Sequence, residues 1–166
     1  DASLSFTSGI DSTYDEYCFK YINIHPETDS VDFTVNFSSD GGSSYAVTKT
    51  TTFFNAQNKE DDSGTDFSYQ TGNDLAQATG YQTLTRTNVG NDNDQSCSGY
   101  LHLFNPSSTT FVKHFMATDQ HIHSNNISLN CYIAGYCNTT SAVDAVDFKM
   151  SSGEIQGGTI SLYGIG

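Results

Sequence analysis

The sequence predicts an all-β, antiparallel domain, built as a sandwich or a barrel. Three observations predict it. Ser, Thr, Asn and Gly are abundant while Leu, Glu, Lys and Arg are scarce, so poor helix formers replace good ones. Aromatic residues make up 13% of the chain, with 11 Phe and 10 Tyr, and they suit pleated, half-buried strands. Apolar and polar residues alternate with period two in several segments, and clusters of turn residues separate these at fairly regular spacing.

The elements follow in chain order. Tyr14 to Ile24 is apolar on both faces, with Tyr17, Phe19 and Tyr21 on one and Cys18, Ile22 and Ile24 on the other. That predicts a central strand covered on both sides, ended by His25-Pro26 because proline lacks the amide a ladder needs. Val31, Phe33, Val35 and Phe37 alternate with Asp32, Thr34 and Asn36, which predicts a strand with one wet face. After the turn cluster at residues 39–43, Tyr45 to Phe54 reads as the returning strand of a hairpin. Residues 55–74 are polar and read as a long surface loop. Asn73 to Thr79 is the one stretch resembling a helical turn or two, stopped by Gly80. Further strands are expected at Tyr81 to Val89, Gly99 to Phe104, Thr110 to Thr118 and Leu129 to Tyr136. Asn105-Pro106-Ser107-Ser108 forms a tight turn within this series. Val143 to Met150 alternates again, with Val146, Phe148 and Met150 inward and Asp147 and Lys149 outward, and Thr159 to Ile165 closes the chain. The total is eight or nine strands.

A length of 166 residues fits one domain, residues 1–166, large enough to bury a core without staples. No repeat of 20 to 50 residues is visible. Six basic residues face 19 acidic ones, for a net charge of −13, which argues against a nucleic-acid groove or an anionic membrane surface. No apolar run approaches the ~18 to 20 residues a membrane helix needs. Asp1 is not a translation start, so the chain is expected to be processed or to belong to something longer.

Cys18, Cys97, Cys131 and Cys137 form no C-x-x-C pair, so a zinc ribbon or thioredoxin-like site is unsupported. Cys131 and Cys137, six apart, would lie about 20 Å apart on a straight strand, too far for a disulfide. Buried thiols filling core positions are the simpler reading. His121 and His123 share one strand face, with His114 a strand-length earlier and His102 on the preceding strand. Across a symmetric oligomer such an H-x-H pair can build a metal site, so His121, His123 and His114 are the metal candidates. The default is histidines at the surface or in loops, and no metal or cofactor is expected. Asp92-Asn93-Asp94 resembles the start of a calcium loop, but the twelfth position is Leu103, which rejects an EF-hand. Glu60, Asp61 and Asp62 with Asp66 are an alternative set for a hard cation. Catalytic signatures are absent: no G-x-S-x-G, no H-E-x-x-H and no phosphate loop. Asp15 and Glu16 are adjacent and would point to opposite faces of a strand, a poor acid–base pair. No enzyme is expected. Glycosylation sequons begin at Asn36, Asn126 and Asn138, as chance allows in so polar a chain.

Four stretches carry a resemblance. They are Phe6-Thr-Ser-Gly-Ile-Asp-Ser-Thr-Tyr-Asp-Glu-Tyr17 running to Ile22-Asn-Ile-His-Pro26, and Asp40-Gly-Gly-Ser-Ser-Tyr45. The third is Leu103-Phe-Asn-Pro-Ser-Ser-Thr-Thr110 with Val112-Lys-His114. The fourth is Asn138-Thr-Thr-Ser-Ala142 through Phe148-Lys-Met-Ser-Ser-Gly153 to Leu162-Tyr-Gly-Ile165. Together they resemble virion structural proteins of marine tailed bacteriophages, cyanophages among them. The last two stretches are the most specific. The resemblance implies an antiparallel jelly-roll-type β-sandwich of about eight strands at the virion surface, assembled in the host cytoplasm. No binding residue is carried over, and Cys18 and Cys137 stand where aliphatic residues are expected.

The expected function is therefore a non-enzymatic virion protein, the surface β-domain of a tail fibre or appendage. It would assemble with copies of itself, as a homotrimer, and with other virion proteins. Loops 55–74 and 90–98, rich in polar residues, would meet a host surface glycan or protein. A capsid decoration (cement) protein stabilising the head keeps the fold and changes the place. A reading of another class is a secreted, calcium-dependent adhesin or carbohydrate-binding module.

Overall fold

The alternation translates into eleven strands in the computed structural model, which describes residues 1–86 and 88–166. They are β1 (Leu4–Phe6), β2 (Glu16–Pro26), β3 (Phe33–Ser38), β4 (Lys49–Lys59), β5 (Thr65–Tyr69), β6 (Gln82–Thr83), β7 (Cys97–Phe104), β8 (Lys113–His123), β9 (Ile127–Cys137), β10 (Ala145–Met150) and β11 (Ile155–Ile165). All paired strands are antiparallel. A four-stranded sheet runs β1-β10-β3-β6 and a seven-stranded sheet runs β11-β2-β7-β8-β9-β4-β5, so the domain is a β-sandwich. Among the described residues there is no helix.

Aromatic side chains from both layers fill the space between the sheets. Phe33 and Phe148 of the smaller sheet stack at 5.7 Å, and Phe33 meets Tyr21 of the larger sheet at 5.2 Å. Phe37 meets Phe115 at 5.0 Å, and Phe6 meets Phe19 edge-on at 5.3 Å. Phe19, Tyr21, Phe33, Phe37, Phe115 and Phe148 are fully buried. Each contributes about 1.5–3 kcal/mol of apolar burial, so this cluster is the main cohesion between the layers.

Several expectations need correction. β3 and β4 do not form a hairpin: β3 lies in the small sheet and β4 in the large one, so residues 39–48 cross between layers. Alternation fixes which face a residue shares, not which strand is its neighbour. The second face of β3 is not wet. Asn36 donates to the Tyr45 and Thr79 carbonyls at 2.5 and 3.0 Å. Asp147 on β10, expected outward, is buried and accepts from Tyr81 at 2.8 Å and from Ser5 at 2.5 Å. Conversely, β2 is covered on one side only, with Ile22 exposed and Cys18 half-buried. Ile24 leaves their face because Asn23, at φ 52°, makes a bulge that turns it inward.

Residues 55–74 are mostly a hairpin, with β4 running to Lys59, a turn at 60–64, and β5. Residues 73–79 hold no helix. They lie against β4 through a two-residue bridge between Lys49 and Ala78 and through the Leu75 amide, which donates to Thr51 Oγ1 at 2.8 Å. Of the strand expected at 81–89, only β6 and an isolated bridge at Val89 form; position 87 lies outside the described residues. Among the described residues of this stretch, Gln82, Leu84, Thr85 and Val89 are buried.

Candidate functional site

β8 sits at the centre of the seven-stranded sheet and points Lys113, Phe115, Ala117, Asp119 and His121 inward. The three histidine candidates do not converge. His114 is exposed on the outer face beside Tyr136, and His123 is half-buried at the strand end, where burial lowers its pKa. His121 is fully buried, against the expectation of a surface or loop position.

His121 meets other partners instead. Its Nδ1 lies 2.8 Å from Asp119 Oδ1, and its Nε2 lies 3.2 Å from the Arg86 carbonyl oxygen. Donor atoms of Asp119, His121 and Cys131 all fall within 4.8 Å of one another, and all three residues are buried. The register explains the meeting. Tyr21, Gly99, Asp119, Cys131 and Asn55 form one row across β2, β7, β8, β9 and β4. Cys97 stands opposite His121 in the next inward row. A Cβ at Gly99 would lie 2.1 Å from the Thr118 oxygen and 2.7 Å from the Tyr21 hydroxyl, so only glycine lets the Tyr21 ring cross here. Among the described residues, Asp119 Oδ2 and both polar side-chain atoms of Asn55 have no hydrogen-bond partner. Burial raises the pKa of Asp119 and of Cys131. Burial first, then the Asp119 charge, pushes Cys97 and Tyr21 well up. The signal in the sequence was Asp-x-His at strand spacing; the cysteines join it only through pairing.

All four cysteines are free thiols. Cys131 and Cys137 both point inward from β9, while Cys18 is half-buried on the outer face, 3.8 Å from His102 Nε2. Cys137 lies in a row between Lys49 and Lys113, both fully buried.

The outer face of the large sheet has a different character. Tyr100, Thr118, Tyr132, Phe54 and Tyr69 form a row across β7, β8, β9, β4 and β5. Tyr132 stacks on Phe54 at 5.0 Å, and Phe54 meets Phe67 at 5.7 Å. Tyr69 is 50% exposed, Tyr100 46% and Met116 57%, so the face is open. At one end, Glu60, Asp62 and Asp94 gather with Asn58 and Gln120 around a cavity of about 500 Å³. Glu60 and Asp62 from the 55–74 segment and Asp94 from the 90–98 segment line this cavity together. Asp66 stays apart on β5, where it accepts from Ser68 at 2.5 Å. The sequon asparagine Asn36 is buried. The chain matches no family model, no curated protein and no solved structure.

Proposed function

We propose that this protein is a non-enzymatic virion structural protein of a tailed bacteriophage. In this reading it is the surface β-domain of a tail fibre or appendage and recognises the host surface. Support comes from the four resembling stretches and, above all, from the aromatic row on the open face of the large sheet. Monomeric proteins rarely expose contiguous apolar patches unless they bind something. Aromatic rings beside convergent amides and carboxylates suit a polar ligand with apolar faces, such as a glycan. The nested pairings β3–β10, β4–β9 and β7–β8 also favour a jelly-roll-type wrap. In the particle the domain joins copies of itself as a homotrimer and neighbouring virion proteins.

A glycan array probed with the intact chain tests this reading. Tyr132→Ala and Tyr100→Ala should each lower binding at least about tenfold, the ~1.4 kcal/mol scale of one stacked ring; Tyr132→Ala also loses its stack on Phe54, so both are compared at a temperature where circular dichroism shows them folded. Bound glycans indifferent to both changes, or no bound glycan, would remove host-glycan recognition through this face. Antibody labelling of intact particles locates the domain. Label over the head would favour the decoration reading. The carboxylates at the cavity keep the calcium-dependent module as a second reading, and it requires a higher melting temperature with calcium than with chelator.

A further inference from the structure

We propose that Asp119, His121 and Cys131 bind a divalent transition metal ion of the zinc type inside the sandwich. The inference is independent of the virion reading. Carboxylate oxygen, imidazole nitrogen and thiolate sulfur are the donor set zinc takes in tetrahedral sites. Asp119 Oδ1 and His121 Nδ1 stand 2.8 Å apart, close to the ~3.3 Å between two such ligands of one tetrahedral ion. The three donors lie within 4.8 Å, so side-chain rotation of about 1 Å closes the set around bonds of 2.0–2.3 Å.

Three further features fit. The far ring nitrogen of His121 faces the Arg86 carbonyl at 3.2 Å, the arrangement that fixes the tautomer of a metal-bound imidazole and leaves Nδ1 free to ligate. Among the described residues Asp119 Oδ2 is fully buried without a partner, and Asn55, beside Cys131 in the ladder, is buried with both polar atoms unpartnered. Unpaired buried polar groups are costly, and Asp119 and Asn55 hold three such atoms in one ladder row. Charge also balances: two positive charges on the ion meet one carboxylate and one thiolate, with a neutral imidazole. Without a metal, the Asp119 and His121 side chains have only each other to offset their burial.

Because the donors are buried, the ion enters during folding. The test is therefore to unfold the full chain, strip it with chelator under reducing conditions, and refold it with cobalt(II) as a spectroscopic stand-in. The proposal expects about one equivalent retained after gel filtration, with tetrahedral d–d bands and a thiolate-to-cobalt charge-transfer band. Zinc should bleach these bands and raise the melting temperature above that of chelator-refolded protein. Cys131→Ser should lose the charge-transfer band or weaken it sharply, while Cys137→Ser, at the other buried thiol of β9, should keep it. A wild-type chain that refolds with native circular dichroism but shows no charge-transfer band would overturn the site, whatever the variants do. So would a band that survives Cys131→Ser and disappears with Cys137→Ser.

Discussion

Lys49 is a cation folded into the interior. Its Nζ donates to Asn36 Oδ1 at 2.5 Å and to the Val47 carbonyl at 2.7 Å, yet burial still lowers its pKa from 10.5 to about 8. The depressed value means that the charged form is penalised in the fold. That penalty is complete below pH 8 and is relieved as the pH rises toward 10.5, because the unfolded chain then binds more protons. Wild type should therefore gain about 1 kcal/mol per pH unit from pH 8 upward relative to Lys49→Met, read by urea unfolding. Parallel profiles would show that Lys49 is not desolvated in this way. Working against Lys49, burial pushes Cys137 up to about 12, and the stability this contributes is lost as the pH climbs above 9. Gly99→Ala is a second residue-scale test. Its new methyl meets the Thr118 oxygen and the Tyr21 ring, and overpacking of this kind costs about 1–3 kcal/mol, measurable as a lower denaturation midpoint. The need for glycine at 99 was not legible in the sequence. It arises from Tyr21, 78 positions away in the chain and adjacent only through the β2–β7 ladder. Of the proposed metal cluster only His121 was read as a candidate, and with His123 and His114 as its partners; Asp119, two positions before it on the same strand face, was passed over. Cys131 comes from a flanking strand, and strand order is not written in local pattern.

Among the elements, β2 and β11 illustrate how a local irregularity sets a face. Asn23 at φ 52° and Gly158 at φ 105° oppose each other across the pair, and the register shifts at both. A Cβ at Gly158 would lie 2.5 Å from the Asn23 carbonyl oxygen, so Gly158→Ala strains the backbone and crowds the bulge together. We expect a loss of about 1–3 kcal/mol, with amide exchange rising first in β11. A substitution that leaves the denaturation midpoint unchanged would count against the bulge as a fixed feature. Strong alternation in 31–37 and 143–150 identified β3 and β10 correctly from sequence. β5 escaped because all but one of its residues are exposed, giving no apolar period to read. The 73–79 stretch misled in the other direction. Its helix-compatible residues are held in an irregular path by side-chain bonds from β4, including Gln77 Nε2 to Thr50 Oγ1 at 2.7 Å.

For the molecule as a whole, the net charge of −13 falls on the surface, because the buried Lys49 and Lys113 are matched by the buried Asp119 and Asp147. Like charges then repel across a small sandwich. Raising salt from ~10 mM to ~150 mM shortens the screening length from about 30 to about 8 Å, and the melting temperature should rise with it. A flat or falling melting temperature would show that local pairing already neutralises the repulsion. The proposed homotrimer predicts a light-scattering mass three times that of one chain, and a single-chain mass would contradict it. The order of the small sheet has a consequence for synthesis. Among the described residues β3 pairs with β10 and β6, and its long ladder is the one to β10, six residue pairs from Ala145–Ser38 to Met150–Phe33. A ribosome-bound chain therefore carries Phe33, Val35 and Phe37 without their main partner until more than a hundred further residues have emerged. Such a chain cannot complete its fold strand by strand as it leaves the exit tunnel. It must wait, with a sticky strand exposed, and any pause before residue 150 lengthens its dependence on a chaperone.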